Sequence, residues 1–368
     1  MVITKEFNKK QIEKLKKIYA MGKDYYIVDL HLHSNYSIDG SQTVEQIYEE
    51  ASKKNIDIIA ITDHDSIQAY NDISIDSPFF LQGPILIPGI EFSVSVPKYN
   101  GRCHILKYFY DEHDERFQEN IKKIQKAYEN RIDIWFQRIK ENRCLQFYAE
   151  KYGFHYSKEE YLQFMDTLPL NVPDYYTIME YIYLYLDKYN ISVWDVFYRT
   201  YNDNQNDSCI ERREKKKRLL DRFYSKYQNM DIGRNYHKLR PILAPVGVDD
   251  FVYRDNPSEG NLSVIEYGQV EISELLNSGF NIWAHPDIND ADCVNRVSEY
   301  VSGYEINCRS DSNDNDIIKQ LVRERDCIVT KGSDKHVVMD NLYDNMDFYK
   351  LSREELERFI LLAEGVTM

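Results

Sequence analysis

Long apolar runs are missing from this chain. Its most apolar stretches, such as Phe79-Phe80-Leu81 and Ile85-Leu86-Ile87, are far too short to span a bilayer. The opening Met-Val-Ile-Thr-Lys-Glu carries no apolar h-region, so no secretory signal is expected and the cytoplasm is the expected compartment. Cysteines stand only at 103, 144, 209, 293, 308 and 327, with no CxxC pair. That spacing excludes a zinc ribbon and a disulfide framework, and implies reduced thiols. Positive charge is outnumbered: 46 Lys and Arg stand against 61 Asp and Glu, a net charge of −15, which excludes a general polyanion binder. Any phosphate chemistry needs a local reversal of that field. No Walker A loop and no GxGxxG occur, which excludes P-loop nucleotide hydrolysis. No Gly-x-Ser-x-Gly elbow occurs either. Asp311-Ser312-Asn313-Asp314-Asn315-Asp316 lacks the glycine and glutamate that a calcium loop needs.

What remains is globular. The 368 residues are 43% hydrophobic and 29% charged, enough for one large domain or two ordinary ones. Residues 5–20 read as a charged helix. Tyr25 to Leu30 reads as a strand, Thr43 to Lys54 as a helix with apolar positions at 44, 47 and 51, and Ile56 to Ile61 as a second strand. Ile85 to Glu91 is a third strand, and Cys103-His104-Ile105-Leu106 begins a fourth. This βαβ rhythm predicts an α/β fold with a parallel sheet or barrel. It lapses after Asp111. Residues 111–240 hold 16 of the 31 tyrosines and a basic run from Glu211 to Arg218. The rhythm returns with Phe280 to Pro286, Gly303 to Asn307, a helix over Ile317 to Arg325, and Cys327 to His336. A final helix spans 352–363, with Ser352 and Glu355 as a capping box. The expected organisation is a barrel in two parts, 1–112 and 241–368, interrupted by a mostly helical insertion at 113–240.

Six of the nine histidines fall at or near strand ends: His31, His33, His64, His104, His285 and His336. Carboxylates keep them company at Asp29, Asp39, Asp63, Asp65, Glu91, Asp287 and Asp334. In parallel βα folds the carboxyl ends of the strands line one mouth. Residues two apart on a strand share a face, so His31 and His33 can grip one metal, with Asp29 behind to orient an imidazole. Glu91 has two oxygens and can bridge two cations. Asp334 and His336 repeat the two-apart spacing after Gly332.

HxH, DH, a strand-end Glu, His, Ala-His-Pro and Gly-Ser-Asp-x-His follow one another in the order that resembles the PHP (polymerase and histidinol phosphatase) family. The resemblance covers roughly residues 25–112 and 265–340. It implies a distorted (β/α)7 barrel with two or three divalent ions, manganese, iron or zinc, at the strand ends. It places one ion at His31, His33, Glu91 and Asp334, and a second at Glu91, His104 and His285. A third falls at Asp39, His64 and His336. Asp63 becomes an imidazole-orienting residue behind the ligands. The implied chemistry is hydrolysis of a phosphoester, with a metal-bridged water losing its proton to become the nucleophile. Arg102, Arg309 and Lys335 are candidates to clamp phosphate oxygens, and Asp65 or Asp287 to protonate the leaving oxygen.

Within that family the chain is most similar to the branch acting on 3′,5′-bisphosphonucleotides and short oligonucleotides. The carriers are Cys103 to Asp111, which resembles that branch's His-Ile-Leu-Gly-Tyr-Phe segment, an Arg-bearing helix after it, and the insertion before Ala-His-Pro. The chain departs at Val172-Pro173-Asp174-Tyr175, where the branch has Arg-Pro-His, and at Lys335, where it has an aromatic. The expected substrate is a phosphorylated nucleotide or a short single-stranded nucleic-acid end, without membrane involvement. The alternatives are a small-metabolite phosphatase such as a histidinol phosphatase, and a nuclease subunit or binding module. The last would work with a partner ATPase or polymerase, bound through the insertion. The stripe Tyr175, Tyr176, Tyr181, Tyr183, Tyr185 and Tyr189 has partly helical spacing, which favours packing over a base-stacking platform.

Overall fold

The length of the link after each apolar strand decides how the sheet is built. In a computed structural model, β1 (Tyr25–Leu32), β2 (Ile58–Ile61) and β3 (Ile85–Ser95) run parallel, with α2 (Val44–Lys53) crossing from β1 to β2 after an N-terminal helix α1 (Lys5–Tyr19). Thr43 caps α2 in a capping box with Gln46, and Val44, Ile47 and Ala51 bury its inner face. The structure describes residues 2–37, 40–71, 73, 83–97, 102–167, 175–203, 217–218, 221–222, 224–226, 228, 270–288, 290–308, 312–336, 343 and 345–367.

The strand β4 (Arg102–Tyr108) pairs antiparallel with β3, placing Ser93 opposite His104. Only residues 96–101 link the two strands, too few for the crossover that parallel pairing requires. The expectation of a parallel continuation is therefore corrected at this strand. The consequence is functional: His104, near the start of β4, reaches the same rim as the residues that end β1, β2 and β3. The strands β5 (Phe280–Trp283), β6 (Gly303–Asn307) and β7 (Ile328–Gly332) restore parallel pairing among themselves. A short β8 (Lys350–Ser352), absent from the sequence reading, pairs antiparallel with the start of β1. The sheet order is β7-β6-β5-β4-β3-β2-β1-β8. Past the end of β1 the sheet turns back on itself. Leu32 bridges Lys335, His33 N–H donates to Lys335 O (3.0 Å) and Asp334 N–H to His31 O (2.9 Å). The result is a nearly closed α/β barrel whose seam joins the first and last ligand stations.

The chain divides into two compact units, Met1–Ala127 with Ser263–Met368, and Tyr128–Leu262. The first holds the barrel, together with α8 (Ala291–Val297), α9 (Ser312–Arg325) and α10 (Arg353–Thr367). Ser352 and Glu355 form the expected reciprocal cap at the start of α10. A long helix, α3 (Glu115–Glu141), runs from the first unit into the second, which is otherwise built on α4 (Arg143–Tyr152), α5 (Lys158–Met165), α6 (Tyr175–Lys188) and α7 (Val193–Asp203). Tyr161, Tyr181, Tyr183 and Tyr185 lie in its buried core with Trp135, Phe136 and Leu186. There the tyrosines are packing residues, and Tyr161 and Tyr181 meet edge to face at 5.5 Å. Lys217 and Arg218 are exposed, whereas Arg212 to Lys216 and Val172 to Asp174 lie outside the described residues. Among the described residues no helix is long and apolar enough to cross a membrane, and five cysteines are free thiols.

Candidate metal centre

Glu91 is the hub. It lies on β3, fully buried, and each of its oxygens meets imidazole nitrogens. Oε2 is 3.1 Å from His31 Nε2, 3.1 Å from His33 Nε2 and 3.1 Å from His64 Nδ1. Oε1 is 3.0 Å from His104 Nδ1 and 3.2 Å from His285 Nε2. Asp334 closes the seam side, its Oδ1 lying 3.5 Å from His31 Nε2, 3.3 Å from His33 Nε2 and 3.5 Å from His336 Nε2. Thus residues 31 and 336, at opposite ends of the barrel sequence, share one small space.

These separations suit a coordination sphere. Donor atoms held about 2.1 Å from one cation sit about 3.0–3.4 Å from each other. His31 Nε2 and His33 Nε2 approach to 3.1 Å, while His31 Nδ1 meets a Glu305 oxygen at 2.7 Å and His33 Nδ1 meets Ser37 Oγ at 3.0 Å. With Nδ1 engaged, both Nε2 lone pairs face the same point, an arrangement that calls for a cation. His31, His33, Glu91 and Asp334 form one group with donor atoms within 4.8 Å of one another; His64, Glu91 and His104 form a second, and His33, His64 and His336 a third. His285 joins the second, 3.3 Å from His104 Nδ1. Asp39, expected with His64 and His336, lies outside the described residues, and within them His33 takes that place.

Electrostatics agree with the geometry. Burial opposes charge on His31, but Glu305, Glu91 and Asp334 outweigh it and raise its pKa well above the ordinary imidazole value. Burial likewise opposes ionisation of Glu91, yet His64, His31 and His104 hold it well below the usual carboxylate range. For His104 burial wins and its pKa falls. A field that pulls protons onto crowded imidazoles is one that divalent cations would satisfy. Exposure grades outward: the His31, His33 and Glu91 side chains are 0% exposed, His64 12%, His336 17%, His104 20% and His285 36%. The centre therefore opens to solvent on the His285 side.

The supporting residues differ from expectation. Asp29 was expected behind an imidazole; its Oδ1 accepts the Ser333 N–H (2.9 Å) and its Oδ2 the Tyr343 hydroxyl (2.8 Å). Asp63 also misses the imidazoles. Its two oxygens take the Ser34 N–H and hydroxyl, each at 2.6 Å, because β2 ends beside the turn that follows His33. Burial raises both carboxyls to about 6. Asp65, considered as a proton donor, is instead a buried brace whose Oδ1 accepts the Ser93 N–H at 3.0 Å. Lys335, expected to clamp phosphate, is turned toward a carboxylate. Its side chain is 2% exposed and its Nζ lies 2.5 Å from Glu50 on α2. Arg309 lies outside the described residues. Two residues that the sequence reading did not single out contact the imidazoles instead: Ser37, at His33 Nδ1 and also accepting the His64 N–H at 3.1 Å, and Glu305, at His31 Nδ1. The available signal for Glu305 was a lone carboxylate between two apolar residues, Tyr304 and Ile306, on a buried strand.

Residues 29–156 match the PHP domain family. A search among curated proteins gives no match. A protein from Bifidobacterium adolescentis, named as a metal-dependent phosphoesterase, superposes with a TM-score of 0.56 at 16% identity, over 91% of this chain and 96% of that one. An amidohydrolase from Chromobacterium violaceum, solved with bound sulfate and no metal, superposes with a TM-score of 0.50 at 15% identity, over 90% of this chain and 99% of that one. At these identities the likeness is one of fold, and it extends over both parts of the chain around the PHP match.

Proposed function

We propose that this chain is a metal-dependent phosphoesterase acting on phosphate esters of nucleotides or short nucleic-acid ends. The observation that carries the reading is the convergence on Glu91 of His31, His33, His64, His104 and His285, with Asp334 facing the same imidazoles. His31, His33, Glu91 and Asp334 would hold one divalent cation, and Glu91, His104 and His285 a second; His64 and His336 would remain as donors for a third. When bound, such ions screen the phosphate charge and acidify a coordinated water. Bound cations would replace the protons that Glu91 and Asp334 draw onto the surrounding imidazoles and would add positive charge where a phosphate dianion must enter. His285, the most exposed of the imidazoles, borders the opening and is placed to meet the ester first. The buried braces Asp29, Asp63 and Asp65 fix the backbone around the ligands and hold the donor set ready in advance.

Support for phosphate esters comes from the PHP match and from the Bifidobacterium neighbour's name. Support for a nucleotide comes from the Cys103 to Asp111 segment. Phosphate release should be compared side by side on adenosine 3′,5′-bisphosphate, histidinol phosphate and a 5′-phosphorylated single strand. The expected result is manganese-stimulated release from the bisphosphonucleotide or the strand, abolished by EDTA and by His33→Ala. Release from histidinol phosphate alone would replace the nucleotide reading. Hydrolysis of an amide panel with no ester turnover would move the activity to the class named for the Chromobacterium neighbour.

A further inference from the structure

We propose that Glu305 is the positioning residue of this centre, a single carboxylate that fixes the His31 tautomer and seats His285, so that it governs the affinity for cations. The inference rests on the metal-centre reading above and adds a residue that supplies no ligand. Glu305 stands in the middle of β6, fully buried, between β5, which ends just before His285, and β7, which ends just before Asp334. Its Oε1 lies 2.7 Å from His31 Nδ1. Its Oε2 accepts the backbone N–H of His285 at 2.8 Å and meets Asn307 Nδ2 at 3.4 Å.

Each contact has a chemical consequence. An ionised carboxylate only accepts, so His31 must carry its proton on Nδ1. Its Nε2 then presents a lone pair toward His33, Glu91 and Asp334. Both Glu305 oxygens are committed on the Nδ1 side of the ring, away from the donor cluster, which is why the residue orients a ligand and is not one itself. His285 adopts a φ of +28°, a conformation that non-glycine residues rarely take. The hydrogen bond to Glu305 holds that backbone where the imidazole reaches Glu91. Space for the carboxylate depends on Gly332. A Cβ there would come within 2.3 Å of Glu305 Oε1 and 2.3 Å of His31 Cβ. One carboxylate thereby couples a ligand of the first cation group to a ligand of the second.

Full-length wild type and Glu305→Gln are titrated with Mn2+, following the free ion by electron paramagnetic resonance. A glutamine amide cannot accept at both contacts. If its oxygen keeps the His285 N–H, its NH2 faces His31 Nδ1 and drives the imidazole proton to Nε2. The expected result is Mn2+ binding weakened about 10- to 100-fold, with an unchanged far-UV spectrum of the metal-free protein. Equal Mn2+ affinity in the two proteins overturns the proposal. If wild type takes up no Mn2+, the metal-centre reading itself fails, and this inference with it. Should Glu305→Gln not fold, 15N-histidine spectra of zinc-loaded wild type decide. His31 must show Nδ1–H with Nε2 on the metal, and the reverse assignment overturns the proposal.

Discussion

Lys335 sits between two ligand candidates, Asp334 and His336, yet its side chain leaves them. Its ammonium pairs with Glu50 and lies 5.1 Å above the Tyr343 ring, whose hydroxyl donates to Asp29. The pair ties the loop after β7 to α2, and with it the seam of the barrel. Removing one partner of a buried pair is costly because the other charge is stranded, about 3–5 kcal/mol when both are fully buried. Glu50 is 30% exposed and can recover some hydration. Lys335→Met should therefore cost less, on the order of 2 kcal/mol, seen as a lower urea midpoint with little change in KM for a phosphate ester. A raised KM at unchanged stability would return Lys335 to the phosphate. The clustering of His31, His33, Glu91 and Asp334 was legible because i and i+2 on a strand share a face, and because chemistry gathers at strand ends in such folds. Glu305 was not, because its partner His31 is 274 positions away in sequence and only the closed barrel joins them. The Lys335–Glu50 pair was not legible for the same reason: proximity to a candidate ligand in sequence does not say which way a side chain points.

At the scale of elements, β4 is the informative strand. Its existence was legible from its apolar run, but its direction required counting the link at residues 96–101. The return of the rhythm at β5, β6 and β7 was legible because each strand is a short apolar run ending in polar residues. β8 was not, being three residues at an edge. β4 also carries Lys107, fully buried, whose Nζ donates to Leu275 O at 2.8 Å and to Asn281 Oδ1 at 3.2 Å, the latter on β5. Burial lowers its pKa from 10.5 to about 7. Between those values the unfolded chain binds a proton that the folded chain does not. Stability from this group therefore rises with pH across the window and is lost as pH falls toward 7. Its slope can reach about 1.4 kcal/mol per pH unit. Urea midpoints at pH 7 and pH 9 should differ more for wild type than for Lys107→Met. Equal differences would mean that Lys107 is charged in the fold.

The whole molecule carries a net charge of −15, and part of it is gathered at the centre, in the buried carboxylates Glu91, Glu305, Asp29 and Asp63 and the partly buried Asp334. Cations bound at the rim would reverse this field only nearby, since salt screens charges beyond about 10 Å at 0.1 M. On the proposed function, an anionic ester would approach through a repulsive far field before it met an attractive near one. Raising salt weakens the first more than the second, because ions in a narrow mouth are less accessible to screening. kcat/KM for adenosine 3′,5′-bisphosphate, measured with saturating Mn2+, should therefore rise as NaCl goes from about 0.02 to about 0.15 M. A protein that gathers nucleic acid on a basic surface behaves oppositely and loses affinity steeply with salt. A steep fall with the phosphorylated single strand as substrate would show that a local basic surface dominates the encounter, and that net charge is the wrong scale at which to judge this chain's substrates.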